Sequence, residues 1–96
     1  MKIKCYYRKN LKMSAGKLAA QVGHVCKTLG KKYGQAFPEC ENSWQDDQII
    51  VLSLSDKKFN EMTDTLKTSD YMWHLQVDSG VTEIPPNTPT VVGFIE

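Results

Sequence analysis

Residues 14–33 read Ser14-Ala15-Gly16-Lys17-Leu18-Ala19-Ala20-Gln21-Val22-Gly23-His24-Val25-Cys26-Lys27-Thr28-Leu29-Gly30-Lys31-Lys32-Tyr33. Leu18, Val22, Val25 and Leu29 recur at one-helix-face spacing, so the stretch reads as an amphipathic helix running to about Tyr33. Ser14 is a good N-cap for it. Lys17, Gln21, His24 and Thr28 repeat that spacing one residue earlier, forming a polar stripe beside the apolar one. Gly16 and Gly23 cost helix propensity. The expectation is that something approaches the backbone closely at those two positions.

Working outward, residues 2–8 alternate partially and carry two tyrosines, as a strand does. Residues 34–47 are polar and broken by Gly34 and Pro38, with a short helix expected over Glu39–Gln45. Gln48–Leu54 contains Ile49-Ile50-Val51-Leu52, which reads as a buried strand. Ser55 caps a helix from Asp56 to Thr68 whose inner face is Phe59, Met62 and Leu66. Tyr71–Val77 and Thr90–Ile95 are the last two strands, joined by a loop over residues 78–89. The long early crossover favours a mainly parallel sheet with helices on both faces. The final two strands are expected as antiparallel neighbours, making the sheet mixed.

Ninety-six residues make one domain, 1–96, with 41% hydrophobic and 24% charged residues. Its core must be small, so dimerisation would help cover apolar surface. No apolar run approaches the ~18 residues of a membrane span, and the N-terminus lacks the apolar segment of a secretory signal. Cys5, Cys26 and Cys40 form no paired motif, which fits reduced thiols and a cytoplasmic location.

The net charge of +1 conceals an asymmetry: nine of the 12 Lys and Arg lie between Lys2 and Lys32, and no Asp or Glu precedes Glu39. Two readings follow, a basic surface for phosphates or a basic half that pairs with the acidic half. His24 and Cys26 are two apart on a helix and share no face, and His74 stands alone, so no metal site is expected. Gly16-Lys17 lacks the flanking Gly and Ser/Thr of a P-loop, since Leu11 and Leu18 stand there. A lysine in the first turn still adds a full charge to the positive end of a helix.

The second informative stretch is Asp78-Ser79-Gly80-Val81-Thr82-Glu83-Ile84-Pro85-Pro86-Asn87-Thr88-Pro89-Thr90. Asp78-Ser79-Gly80 is turn chemistry. Thr82, Thr88 and Thr90 are hydroxyls on a loop stiffened by Pro85, Pro86 and Pro89. Each threonine could equally satisfy loop backbone groups. Trp44 and Trp73 read as packing residues rather than base-stacking platforms.

Taken together, Leu11–His24 and Asp78–Val91 resemble the archaeal and eukaryotic type of peptidyl-tRNA hydrolase. The order and separation of the two blocks match, and the resemblance spans nearly the whole chain. It implies an α/β fold, a three-layer α/β/α domain with a four-stranded mixed sheet. It implies hydrolysis of the ester between a peptide and the 3′ ribose of tRNA, with no metal or organic cofactor. The family's polar positions fall on Lys17, Gln21, His24, Asp78, Thr82 and Thr90. Lys17, Asp78, Thr82 and Thr90 are then the expected catalytic set. Asp78 would orient or deprotonate the water, or position Lys17. Lys17 would stabilise the oxyanion or the nearby phosphate, and the two threonines would hold water and carbonyl. Lys12, Gly16, Gln21, His24, Gly80 and Thr88 are the expected substrate-binding residues, and the basic segment would meet the acceptor stem and 3′ end of peptidyl-tRNA.

Two departures stand out. Ser14 and Ala15 replace the family's glycine and the residue after it, and Glu83 replaces a glutamine. The alternative reading is a non-catalytic tRNA- or protein-binding module on the same fold, with Glu83 as the mark of lost catalysis.

Overall fold

The computed structural model describes residues 1–39, 48–80 and 84–96. Strand β1 (Lys2–Arg8) is followed by a 3₁₀ turn at Lys9–Leu11, helix α1 (Ala15–Ala36), strand β2 (Gln48–Leu54), helix α2 (Asp56–Lys67), and strands β3 (Trp73–Asp78) and β4 (Thr88–Ile95). Both helices begin at the serines expected. Ser14 accepts from the Lys17 N–H at 3.2 Å and Ser55 from the Lys58 N–H at 3.3 Å, each satisfying an otherwise unpartnered first-turn donor. Helix α1 stops just before Pro38, whose ring disfavours helical backbone in the residue preceding it. The short helix expected over Glu39–Gln45 falls largely outside the described residues, as do Cys40 and Trp44.

The strands form one sheet in the order β2-β1-β4-β3. Only β1 and β2 are parallel; β1–β4 and β3–β4 are antiparallel. The sheet is therefore mixed, as expected, but mainly antiparallel rather than mainly parallel. The reason is that β4 enters between β1 and β3, so it makes two antiparallel pairings.

Alternation along the strands builds two cores. Ile3, Cys5 and Val91 face α1 and bury Val25 and Leu29 against them. Val92 and Phe94 face the other way, toward Phe59 and Leu66 of α2. Partly buried Trp73 and Met62 pack on this second cluster, and Met72 on the first. The result is three layers, α1 / sheet / α2. Gly93 sets the α1 spacing: a Cβ there would lie 2.5 Å from Val25 Cγ1 and 3.2 Å from Cys5 Sγ. Only a residue without a side chain lets Val25 sit that close to β4.

Strand β2 is not buried. It lies at the edge of the sheet, with Ile49 55% and Leu52 49% exposed. Helix α1 lies across β1, β4 and β3 instead. An uninterrupted apolar run looks the same in sequence whether the strand is covered or at an edge.

Candidate active site

Lys17 and Asp78 meet 61 residues apart in sequence. Lys17 is in the first turn of α1 and Asp78 closes β3, so the helix start and the strand end converge at one end of the sheet. The Lys17 ammonium donates to Asp78 Oδ1, and the pair is well buried, with side-chain exposures of 11% and 4%. The other carboxylate oxygen, Oδ2, accepts from the Gly80 N–H at 2.9 Å. The Lys17 hydrogen bond first, and the Gly80 N–H in addition, hold the Asp78 carboxyl below the usual carboxylate range, against the opposing effect of desolvation.

Gly80 makes that turn possible. Its φ is +82°, and a Cβ on it would lie 2.6 Å from Pro86 backbone atoms. The loop is closed at its base by Asn87, whose N–H donates to the Asp78 carbonyl at 2.8 Å. Gly80 thus shapes the carboxylate through its backbone.

The pair forms part of the wall of an open cavity of about 560 Å³, which Ser14, Gly16, Ala20, Gln21, His24, Gln76 and Ser79 also line. Gly16 contributes bare backbone: none of the described residues lies within 4 Å of where its Cβ would be, and the same holds for Gly23. Packing among the described residues therefore explains neither glycine, and at Gly16 the open space belongs to the cavity. His24 is exposed at the cavity wall.

Thr90 lies beneath this cavity rather than in its wall. It is fully buried, and its hydroxyl donates to Gln21 Oε1 at 2.6 Å. A break in register puts it there. Gln76 pairs with Val91 and Val77 with Pro89, leaving Thr90 as an extra residue in β4. Such a bulge re-aims a side chain, and here Thr90 turns toward α1. Gln21 is itself buried, so its amide is fixed by Thr90 before any ligand arrives. The sequence marks both residues as polar site positions but does not reveal that they bond to each other.

The remaining expected residues divide. Thr88 donates to the Pro85 carbonyl at 2.7 Å, which is the loop-stabilising role of a threonine. Lys12 is exposed in left-handed backbone, φ 51°, where it ends the 3₁₀ turn, and it does not line the cavity. Thr82 and Glu83 lie outside the described residues. Ser14, Ala20, Gln76 and Ser79 join the cavity without having been expected. Ala20 and Gln76 could have been found, because each sits one turn or one strand alternation from an expected residue.

The two thiols among the described residues are unsuited to nucleophilic chemistry. Burial pushes Cys5 up to about 12 and also raises Cys26. No cluster of three His, Cys, Asp or Glu side chains occurs among the described residues. Nor is any helix there long and apolar enough to cross a membrane.

The reading in which the two halves pair holds for part of the charge asymmetry. Arg8 pairs with Asp56, Lys17 with Asp78, and Lys4 with Glu96, so part of the basic half does meet the acidic half. On α1, however, Ala20, His24, Lys27 and Lys31 are exposed and lie within one face together with Lys17. A basic stripe therefore leads out of the cavity.

The family model for the peptidyl-tRNA hydrolase PTH2 matches residues 1–95. This chain belongs to the PTH2 family. A Staphylothermus marinus protein named peptidyl-tRNA hydrolase is 36% identical over 91 residues, covering 91% of this chain and 74% of its own length. One from Thermococcus onnurineus with the same name is 33% identical over 86 residues, covering 86% and 73%. A Caenorhabditis elegans protein named probable peptidyl-tRNA hydrolase 2 is 36% identical over 94 residues, covering 88% of this chain and 28% of its own. This PTH2 chain thus spans about three quarters of the two archaeal relatives.

Proposed function

We propose that this chain hydrolyses the ester joining a peptide to the 3′ end of tRNA, releasing free tRNA, with Lys17, Gln21 and Asp78 at the centre of the site. The observation that carries this reading is the buried Lys17–Asp78 pair beside an open cavity, in a chain matched to the PTH2 family end to end.

The chemistry follows from which atoms are already engaged. Ester hydrolysis needs water at the carbonyl carbon and donors for the oxyanion that forms. The lowered pKa of Asp78 makes its carboxylate a weak base, so its main task is to hold Lys17 in place. Each of its oxygens keeps a lone pair with which to orient a water. Lys17 Nζ is the charged donor for the oxyanion. Gln21 Oε1 accepts from Thr90, which leaves the amide NH₂ as a second, neutral donor. Two pre-set donors cost no reorganisation during reaction. Thr90 acts through Gln21, and Thr82 keeps the water-holding role implied by the resemblance.

Exposed Lys27 and Lys31 continue the Lys17–His24 face away from the cavity. From Lys17 to Lys31 a helix rises about 21 Å, the length of a few nucleotides of acceptor strand. Phosphate contacts of this kind are indifferent to sequence and weaken with salt, as suits an enzyme that accepts many tRNAs.

The same reading includes self-association through β2, whose exposed Ile49, Val51 and Leu52 a second copy would cover. Sedimentation at micromolar concentration should give a dimer, and a monomer removes that part. A cytoplasmic location is read from the cysteine pattern. Relatives named mitochondrial, such as the 29% identical Bos taurus protein, make a mitochondrial signal in localisation imaging the result against it.

The primary test is release of tRNA from N-acylated aminoacyl-tRNA in low salt with EDTA, for this protein and its Asp78→Ala variant. Turnover that the variant loses supports the hydrolase. Salt-sensitive tRNA binding without turnover replaces it with the binding module, and Glu83→Gln is then the reversion to make.

A further inference from the structure

Arg8 ends β1 outside the cavity lining, yet it is held from two sides, one of which leads to the site. The parallel register pairs Arg8 with Leu54, and α2 starts two residues later. This brings Asp56 against the guanidinium. Arg8 Nε donates to Asp56 Oδ1 at 3.0 Å and Nη2 to Oδ2 at 3.1 Å, a two-pronged pairing that fixes the plane of the guanidinium. On the other side, the antiparallel register pairs Tyr7 with Val91, which brings the start of β4 past Arg8. The third donor, Nη1, then reaches the Pro89 carbonyl at 3.0 Å.

Pro89 immediately precedes the bulged residue Thr90. Its carbonyl belongs to the peptide that links it to Thr90, so whatever holds that carbonyl sets the orientation from which the Thr90 side chain departs. Pro89 has no N–H to donate, and strand pairing is interrupted at the bulge. Arg8 supplies a side-chain anchor where the ladder is weakest.

We propose that Arg8 is a positioning residue for the reaction: anchored by Asp56, it holds the Pro89 carbonyl and thereby fixes the bulge that turns the Thr90 hydroxyl onto Gln21. The inference rests on the reading that Thr90 and Gln21 serve catalysis. Lysine cannot replace this arginine fully, because an ammonium lacks the planar fork that binds Asp56 and Pro89 at once.

The test is a double-mutant cycle in kcat and KM on N-acylated aminoacyl-tRNA with Arg8→Met, Thr90→Val and the double variant, each assayed at least 10 °C below its own measured Tm. Expected are a kcat reduced about 10- to 100-fold in each single variant, as misplacement of a catalytic group allows. KM should be unchanged within about twofold, since Arg8 does not line the cavity. The double variant should be no worse than Thr90→Val, because Arg8 acts through Thr90. Arg8→Lys should recover part of the loss, and it carries the cycle if Arg8→Met does not fold. Losses that multiply, or a normal kcat with a lowered Tm for Arg8→Met, overturn the positioning role and leave the Thr90 reading standing. A normal kcat for Thr90→Val overturns both.

Discussion

Thr90 and Gln21 lie 69 residues apart in sequence and share a buried 2.6 Å hydrogen bond from the threonine hydroxyl to the glutamine side-chain oxygen. It ties the bulge of β4 to the second turn of α1, directly beneath the cavity that Gln21 helps to line.

Gln21→Leu tests this bond. It leaves a buried hydroxyl without its best acceptor, which costs about 1–3 kcal/mol. It also removes an oxyanion donor, so kcat should fall at least about 10²-fold. Urea denaturation and steady-state kinetics read the two effects separately. A variant that loses stability but keeps its kcat removes Gln21 from the chemistry.

Lys17→Ala and Asp78→Ala should each lower kcat/KM by at least about two orders of magnitude. Because the two side chains act as a unit, the double variant should be little worse than either single one. Full multiplication of the two losses would mean that they act independently.

The pH dependence has a definite sign. Asp78 has a folded-state acidity stronger than in the unfolded chain, so its contribution to stability is complete above the unfolded value near ~4 and is lost as pH falls through its lower folded value. Asp78 should therefore produce no titration in stability or in kcat/KM between about pH 5 and 8. Acid unfolding of the wild type, compared with Asp78→Asn, should differ in slope only below about pH 4. A step near neutrality that Asp78→Asn abolishes would contradict this.

Two glycines should respond in opposite ways. Gly93→Ala forces a methyl against Val25 and Cys5 and should destabilise by about 1–3 kcal/mol through overpacking. Gly16→Ala meets nothing among the described residues and should stabilise α1 by up to about 1 kcal/mol. If substrate occupies the space at Gly16, that more stable variant will turn over more slowly. Unchanged kinetics would mean that substrate keeps clear of Gly16.

Much of the local structure was legible from residue order. β1 at Lys2–Arg8, β2 at Gln48–Leu54, and the serine caps before Ala15 and Asp56 fall where spacing and capping chemistry put them, because these depend on neighbours within one turn or one strand. The expectation of a buried β2 failed because apolar content does not say which side of a sheet will be covered. Arg8 read as one more charge in a basic segment, since nothing nearby in sequence shows that Asp56 and the Pro89 carbonyl will converge on it.

By itself, the sequence determined the element types, the two layers of helix, and the residue types available to the site: a lysine, a carboxylate, an amide and hydroxyls in two blocks. Periodicity and capping are short-range and survive without knowledge of the fold. Tertiary structure decided what those residues do. Inserting β4 between β1 and β3 set the pairing directions, and one extra residue at Thr90 chose the face its hydroxyl occupies. The convergence of the α1 start with the β3 end turned Lys17 and Asp78 into a buried pair. Each of these outcomes depends on register between segments far apart in the chain, which no local pattern encodes.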